Sequence, residues 1–173
     1  VTGKLAEMLY LMTKERILIA GLTEAGCKDT AVYNSEEYVI LQSGATADRN
    51  AGVLFVVHRS LEACIQTFTP ISGRVATLTL RTTGGSITLV LVYLPYEAMD
   101  NQDLRVANYD LYAETIGAAQ KKGPVIGIGD HNTSVRYRVR GEQWVGRHLY
   151  GPRNDVLYES DEEARRQEGN RLT

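Results

Sequence analysis

At 173 residues the chain is long enough for one domain with a substantial core, and its 43% hydrophobic and 23% charged content is that of an ordinary soluble globular protein. No apolar run approaches the length needed to span a bilayer, and the opening Val1-Thr2-Gly3-Lys4-Leu5 has neither the charged nor the apolar region of a secretory signal. A formal charge of −2 argues against nucleic-acid binding by general electrostatics alone, although a protein that brings its own divalent cation to a phosphate need not be basic.

Leu5, Met8, Leu9 and Met12 recur at helical spacing and predict an amphipathic helix over about residues 3–15. Ile17 to Leu22 is a continuous apolar run that reads as a strand buried on both faces. Strand-like runs follow over 38–42, 52–58, 63–68 and 75–81, the last with Val75, Thr77 and Thr79 alternating with Ala76, Leu78 and Leu80. Thr83-Gly84-Gly85-Ser86 is a hairpin signal, and Ile87–Tyr93 returns as an apolar strand stopped by Pro95. Residues 102–121 read as a helix with Leu104, Ala107, Leu111 and Ala118 on its apolar stripe, ended by Gly123-Pro124. Val125–Gly129 is a further short buried strand, and Glu159–Gln167 has the character of a charged surface helix. This order predicts an α/β layered fold whose sheet is mixed, since hairpins dominate the middle. Cys27 and Cys64 form no metal-ligand spacing and are expected to be reduced thiols.

Three polar groups stand where buried strands run out: Thr23-Glu24, Tyr93-Leu94-Pro95 and Gly129-Asp130-His131-Asn132. Strand ends and the loops beyond them form the ligand crevice of layered α/β folds. A carboxylate after a strand is often only a turn former, and Gly-Asp-x-Asn is good turn chemistry. As a set, however, the three supply what phosphate chemistry needs. Glu24 suits a hard divalent cation, which takes anionic oxygen. Asp130 can orient or polarise a water, and Asn132 can donate to a phosphate oxygen without adding charge. On an extended backbone these two project to one side and His131 to the other.

These residues resemble the endonuclease/exonuclease/phosphatase superfamily, and more narrowly the endonuclease domain of non-LTR (LINE-type) retrotransposons and their craniofacial-development-protein-like copies. Leu22-Thr23-Glu24 is similar to the family's Leu-x-Glu metal motif, and Ala51–Val56 to its Gly-Val strand. Gly73-Arg74-Val75 is similar to an Arg-containing strand start, Val92-Tyr93-Leu94-Pro95 to Val-Tyr-Ala-Pro, and Gly129-Asp130-His131-Asn132 to Gly-Asp-Phe-Asn. The stretches from Val145 to Asn154 and from Glu168 to Leu172 resemble a segment of the retroelement members.

The resemblance implies a DNase I-like α-β-β-α sandwich, here one partial domain over 1–173, incomplete at both ends. It implies metal-dependent hydrolysis of a phosphodiester, nicking target DNA for reverse transcription. Glu24 would coordinate Mg2+ (or Mn2+), Asp130 would position the attacking water, Asn132 would hold the phosphate, and Tyr93 would be a second phosphate contact. A reverse transcriptase on the same parent polypeptide, an intracellular location, and a nuclear one for action on chromosomal DNA, follow from the same likeness. The family's leading Asn strand, a downstream Asp and the closing Ser-Asp-His segment have no counterpart in this sequence. A general acid–base group is worth about 10²–10⁴-fold in rate, so the chain alone is expected to be a weak or inactive hydrolase. Other readings are a phosphodiesterase or phosphatase of the same superfamily acting on another substrate, and a non-catalytic copy serving as an interaction module. Arg136, Arg138, Arg140, Arg147 and Arg153, with only Glu142 opposing them, form a candidate phosphate-contacting stretch, and Trp144 beside them could stack on a base.

Overall fold

The computed structural model describes residues 3–45, 51–96 and 102–132. They belong to one compact unit, Val1–Thr133; a second, Ser134–Thr173, lies outside the described residues, and with it the charged segment 159–167 and the arginine stretch.

Helix α1 spans Gly3–Lys14, as its periodicity requires. It stops in a Schellman turn: Arg16 takes a left-handed φ of 56°, Arg16 N–H donates to the Thr13 carbonyl (3.2 Å) and Ile17 N–H to the Met12 carbonyl (2.8 Å). The chain then enters strand β1, Ile19–Leu22. β2 (Ala31–Asn34), β3 (Tyr38–Ser43) and β4 (Val53–His58) complete a four-stranded sheet in the order β1-β4-β3-β2, every pair antiparallel. A 3-10 helix, Arg59–Cys64, links it to the second sheet, with the His58 ring accepting from Ser60 N–H at 3.2 Å as its cap. The second sheet consists of β5 (Ile65–Pro70), β6 (Val75–Thr82), β7 (Gly85–Tyr93) and β8 (Val125–Asp130), in the order β5-β6-β7-β8. Its first two pairings are antiparallel, and β7–β8 is parallel. Parallel neighbours need a crossover, supplied by helix α2 over Gln102–Gln120.

Strict alternation sorts the side chains into layers. From β4, Val53, Phe55 and Val57 meet Ala76, Leu78 and Leu80 of β6 and Leu91 and Tyr93 of β7, so the sheets pack face to face. Phe55 and Phe68 stack edge to face, ring centres 6.4 Å apart. Leu54 and Val56 turn outward onto Leu5, Met8, Leu9 and Met12 of α1. On the far side Val75, Val90 and Val92 lie under Tyr112, Ile116 and Ala119 of α2. The layers therefore run helix, sheet, sheet, helix. β4 is apolar on both faces because both are covered, and burying each such Val or Phe contributes roughly 1.5–3 kcal/mol.

Several expectations change. β1 and β8 are not buried on both faces: each is an edge strand, with Ile17, Leu18 and Ile126 exposed. A short apolar run does not distinguish an edge from a centre. Only the second sheet is mixed. The run 63–68 begins as the 3-10 helix, and β2, only four residues long with Val32 and Tyr33 exposed, has no counterpart among the predicted strands. In α2, Leu104, Ala107 and Ala118 are exposed, whereas Asn108, Thr115 and Ala119 are buried. Both cysteines are free.

Candidate active site

β7 delivers Tyr93 at the end of its inward-facing row, so the ring lies between the sheets at 7% exposure. Glu24 follows β1 on the opposite sheet, in a left-handed conformation (φ 53°) that a non-glycine residue rarely adopts. The two meet across the sandwich: Tyr93 Oη donates to Glu24 Oε1 at 2.5 Å. Glu24 itself is exposed, and its Oε2 has no hydrogen-bond partner among the described residues.

Arg74, just before β6, holds the tyrosine from behind. Its guanidinium lies 4.7 Å from the centre of the Tyr93 ring, a cation–π distance, and Nη1 donates to the Tyr93 carbonyl at 3.3 Å. Tyr93 N–H in turn donates to the Arg74 carbonyl at 2.8 Å. Burial pushes the Tyr93 phenol above the ordinary tyrosine range, and the hydrogen bond and negative charge of Glu24 push it further; Arg74 acts in the opposite direction. At neutral pH the hydroxyl is thus a proton donor held against a carboxylate.

Asp130 pairs in register with Tyr93 on the adjoining parallel strand, and Leu94 N–H donates to its carbonyl at 2.9 Å. Past it the chain does not stay extended. Asn132 has a φ of 45°, its N–H donates to Asp130 Oδ1 at 2.8 Å, and its side-chain Nδ2 donates to the Leu94 carbonyl at 2.7 Å. This is an Asx turn, the turn chemistry that Gly-Asp-x-Asn favours. The extended geometry expected for Asp130 and Asn132 is therefore corrected: the pair is set by a turn. One amide hydrogen fixes the Asn132 side chain, and the second has no partner among the described residues. His131 points away, its Nε2 3.3 Å from the Tyr112 hydroxyl and its ring edge-on to Tyr112 of α2.

Among the described residues no three His, Cys, Asp or Glu side chains gather as a ready-made metal cage. Magnesium commonly takes one or two carboxylates and completes its shell with water and substrate phosphate. The half-engaged Glu24 carboxylate and Asp130, whose Oδ1 alone is engaged among the described residues, are hard oxygen donors of the kind that Mg2+ or Mn2+ takes. His58 is a helix cap packed edge-on to Tyr38. Arg136, Arg138, Arg140, Arg147, Arg153, Trp144 and His148 lie outside the described residues.

The structure thus brings Glu24 and Arg74 each into contact with Tyr93 and ties Asp130 and Asn132 to the end of the same strand, β7. Arg74 had no role assigned from sequence; its only signal was its place at the start of a strand in a motif. No family model matches this chain, and no curated protein matches it. No helix among the described residues is long and apolar enough to cross a membrane.

Proposed function

We propose that this chain is the catalytic part of a metal-dependent phosphodiester hydrolase with a DNase I-like fold, acting as a DNA endonuclease of the non-LTR retrotransposon kind. The observation that carries the reading is the Tyr93–Glu24 hydrogen bond, which joins strand ends of two different sheets at one place. Unlike Arg16, whose left-handed φ closes a helix, Glu24 takes its left-handed φ at a strand end where its carboxylate meets Tyr93 of the other sheet. Strained positions of that kind cost about 1–3 kcal/mol and cluster at functional sites.

In this reading Glu24 would hold Mg2+ or Mn2+, with water and substrate phosphate completing the shell. Such a cation, when bound, would add positive charge to stabilise the negative charge that develops on phosphate oxygen. Asp130 would orient the attacking water and take its proton as the water oxygen bonds to phosphorus. The P–O bond to the leaving sugar oxygen breaks, and that oxygen takes a proton from solvent. Asn132, its amide plane locked by the Leu94 carbonyl, donates its remaining N–H to the phosphate. Tyr93 lies beside them, its proton kept by burial and by Glu24.

Supercoiled plasmid, with protein in molar excess and Mg2+ present, tests the reading. The expected outcome is slow nicking that chelation with EDTA stops and that both Glu24→Gln and Asp130→Asn reduce at least about 10²-fold, the scale of losing a charge-stabilising group. Nicking equal to the EDTA control, or unchanged in both variants, overturns it.

A further inference from the structure

Tyr93 is buried, and its hydroxyl is committed to Glu24 at 2.5 Å. Three contacts fix where that hydroxyl stands: the main-chain bond from Tyr93 N–H to the Arg74 carbonyl, the bond from Arg74 Nη1 to the Tyr93 carbonyl, and the guanidinium over the ring. We propose that Tyr93, clamped by Arg74, is a positioning residue that holds Glu24 with Oε2 presented to a divalent cation. The inference rests on the metal-dependent reading above and changes the part Tyr93 plays in it, from touching phosphate to preparing the metal ligand.

Two physical points support it. A glutamate on an exposed loop has a long side chain with several freely populated rotamers, and binding a cation must freeze them. A donor rigidly fixed in the sheet removes most of that freedom in advance. The donor's charge also matters. A guanidinium bonded to Glu24 would cancel the charge that attracts the cation. The phenol is a neutral donor, so it orients Glu24 without bringing a positive charge to the carboxylate, and the Arg74 guanidinium lies against the Tyr93 ring.

The two roles for Tyr93 separate when nucleic acid is absent. Mn2+ binding to the full chain is measured by the loss of the free-ion EPR signal, for wild type, Glu24→Gln, Tyr93→Phe, Arg74→Met and Arg74→Lys, with no DNA present. The expected result is Glu24-dependent binding in the wild type that Tyr93→Phe weakens about 10–100-fold, the usual effect of removing a partner that orients a ligand. Arg74→Met weakens it in the same direction, and Arg74→Lys, which keeps the charge but not the planar fork, recovers part of the loss. Thermal melting shows which variants are folded, and Arg74→Met decides the matter should Tyr93→Phe not fold. Wild-type affinity in folded Tyr93→Phe or Arg74→Met, with binding lost in Glu24→Gln, overturns the positioning role and leaves the metal-dependent reading standing. No Glu24-dependent Mn2+ binding in the wild type overturns both.

Discussion

Gly129 shows how closely β7 and β8 approach where the candidate site begins. It has a φ of 126°, and a Cβ added to it would overlap the carbonyl oxygen of Val92, its register partner. No other residue type fits, because both the torsion and the space are reserved for glycine. Gly129→Ala must therefore separate the strands just ahead of Asp130. The strain and the overlap together are expected to cost about 3 kcal/mol. Denaturant unfolding reads the cost directly, and a loss below about 1 kcal/mol would show that β8 shifts freely. The glycine of the Gly-Asp-His-Asn run is thus structural, and the Asx turn it introduces is what orients Asp130 and Asn132. The Tyr93–Glu24 contact has a different origin. It joins residues 69 apart, on two sheets whose relative placement no local pattern encodes.

At the scale of elements, α2 is where reading apolar residues alone misleads. Of the predicted stripe Leu104, Ala107, Leu111 and Ala118, only Leu111 packs against the sheet and the other three are exposed. The packed face runs instead through Asn108, Tyr112, Thr115, Ile116 and Ala119. Two of these are polar, and each is satisfied within the helix: Asn108 Nδ2 donates to the Leu104 carbonyl and Thr115 Oγ1 to the Leu111 carbonyl, both at 2.7 Å. Burial of such residues leaves no apolar mark in the sequence. The strands were easier to read, because covered sheets demand continuous or alternating apolar runs; β4, β6 and β7 lie close to where that pattern placed them. The two assignments of α2 make opposite forecasts. Leu104→Glu is expected to change stability by no more than about 0.5 kcal/mol, as for an ordinary surface site. Ala119→Glu places a carboxylate under the helix against Val75 and Val90 and is expected to cost about 3 kcal/mol or more. Equal costs, or a larger one at Leu104, would return the helix to the rotation expected from sequence.

Each of the three packing interfaces among the described residues buries an acidic proton. Cys27 lies between α1 and the first sheet, Tyr93 between the sheets, and Tyr112 between α2 and the second sheet. Burial raises the pKa of all three, because it disfavours thiolate and phenolate, and at Tyr93 Glu24 adds to the shift. The sign of the linkage follows. In the unfolded chain these groups ionise from their ordinary values of 9.0 for the thiol and 10.0 for the phenols, while the folded protein keeps their protons to higher pH. Wherever the folded state binds more protons, stability falls as pH rises. Their contribution is therefore fully present below 9 and is lost progressively above it. The melting temperature is expected to be insensitive to these groups up to about pH 8 and to decline in two stages, first as the Cys27 term is lost and then as the two tyrosine terms are. Cys27→Ala removes the first stage and leaves the second, and adding Tyr112→Phe flattens the second in part. A melting temperature that holds steady past pH 10 in the wild type, or a double variant that declines as steeply as the parent, would show that the layers do not exclude water from these groups as the packing requires.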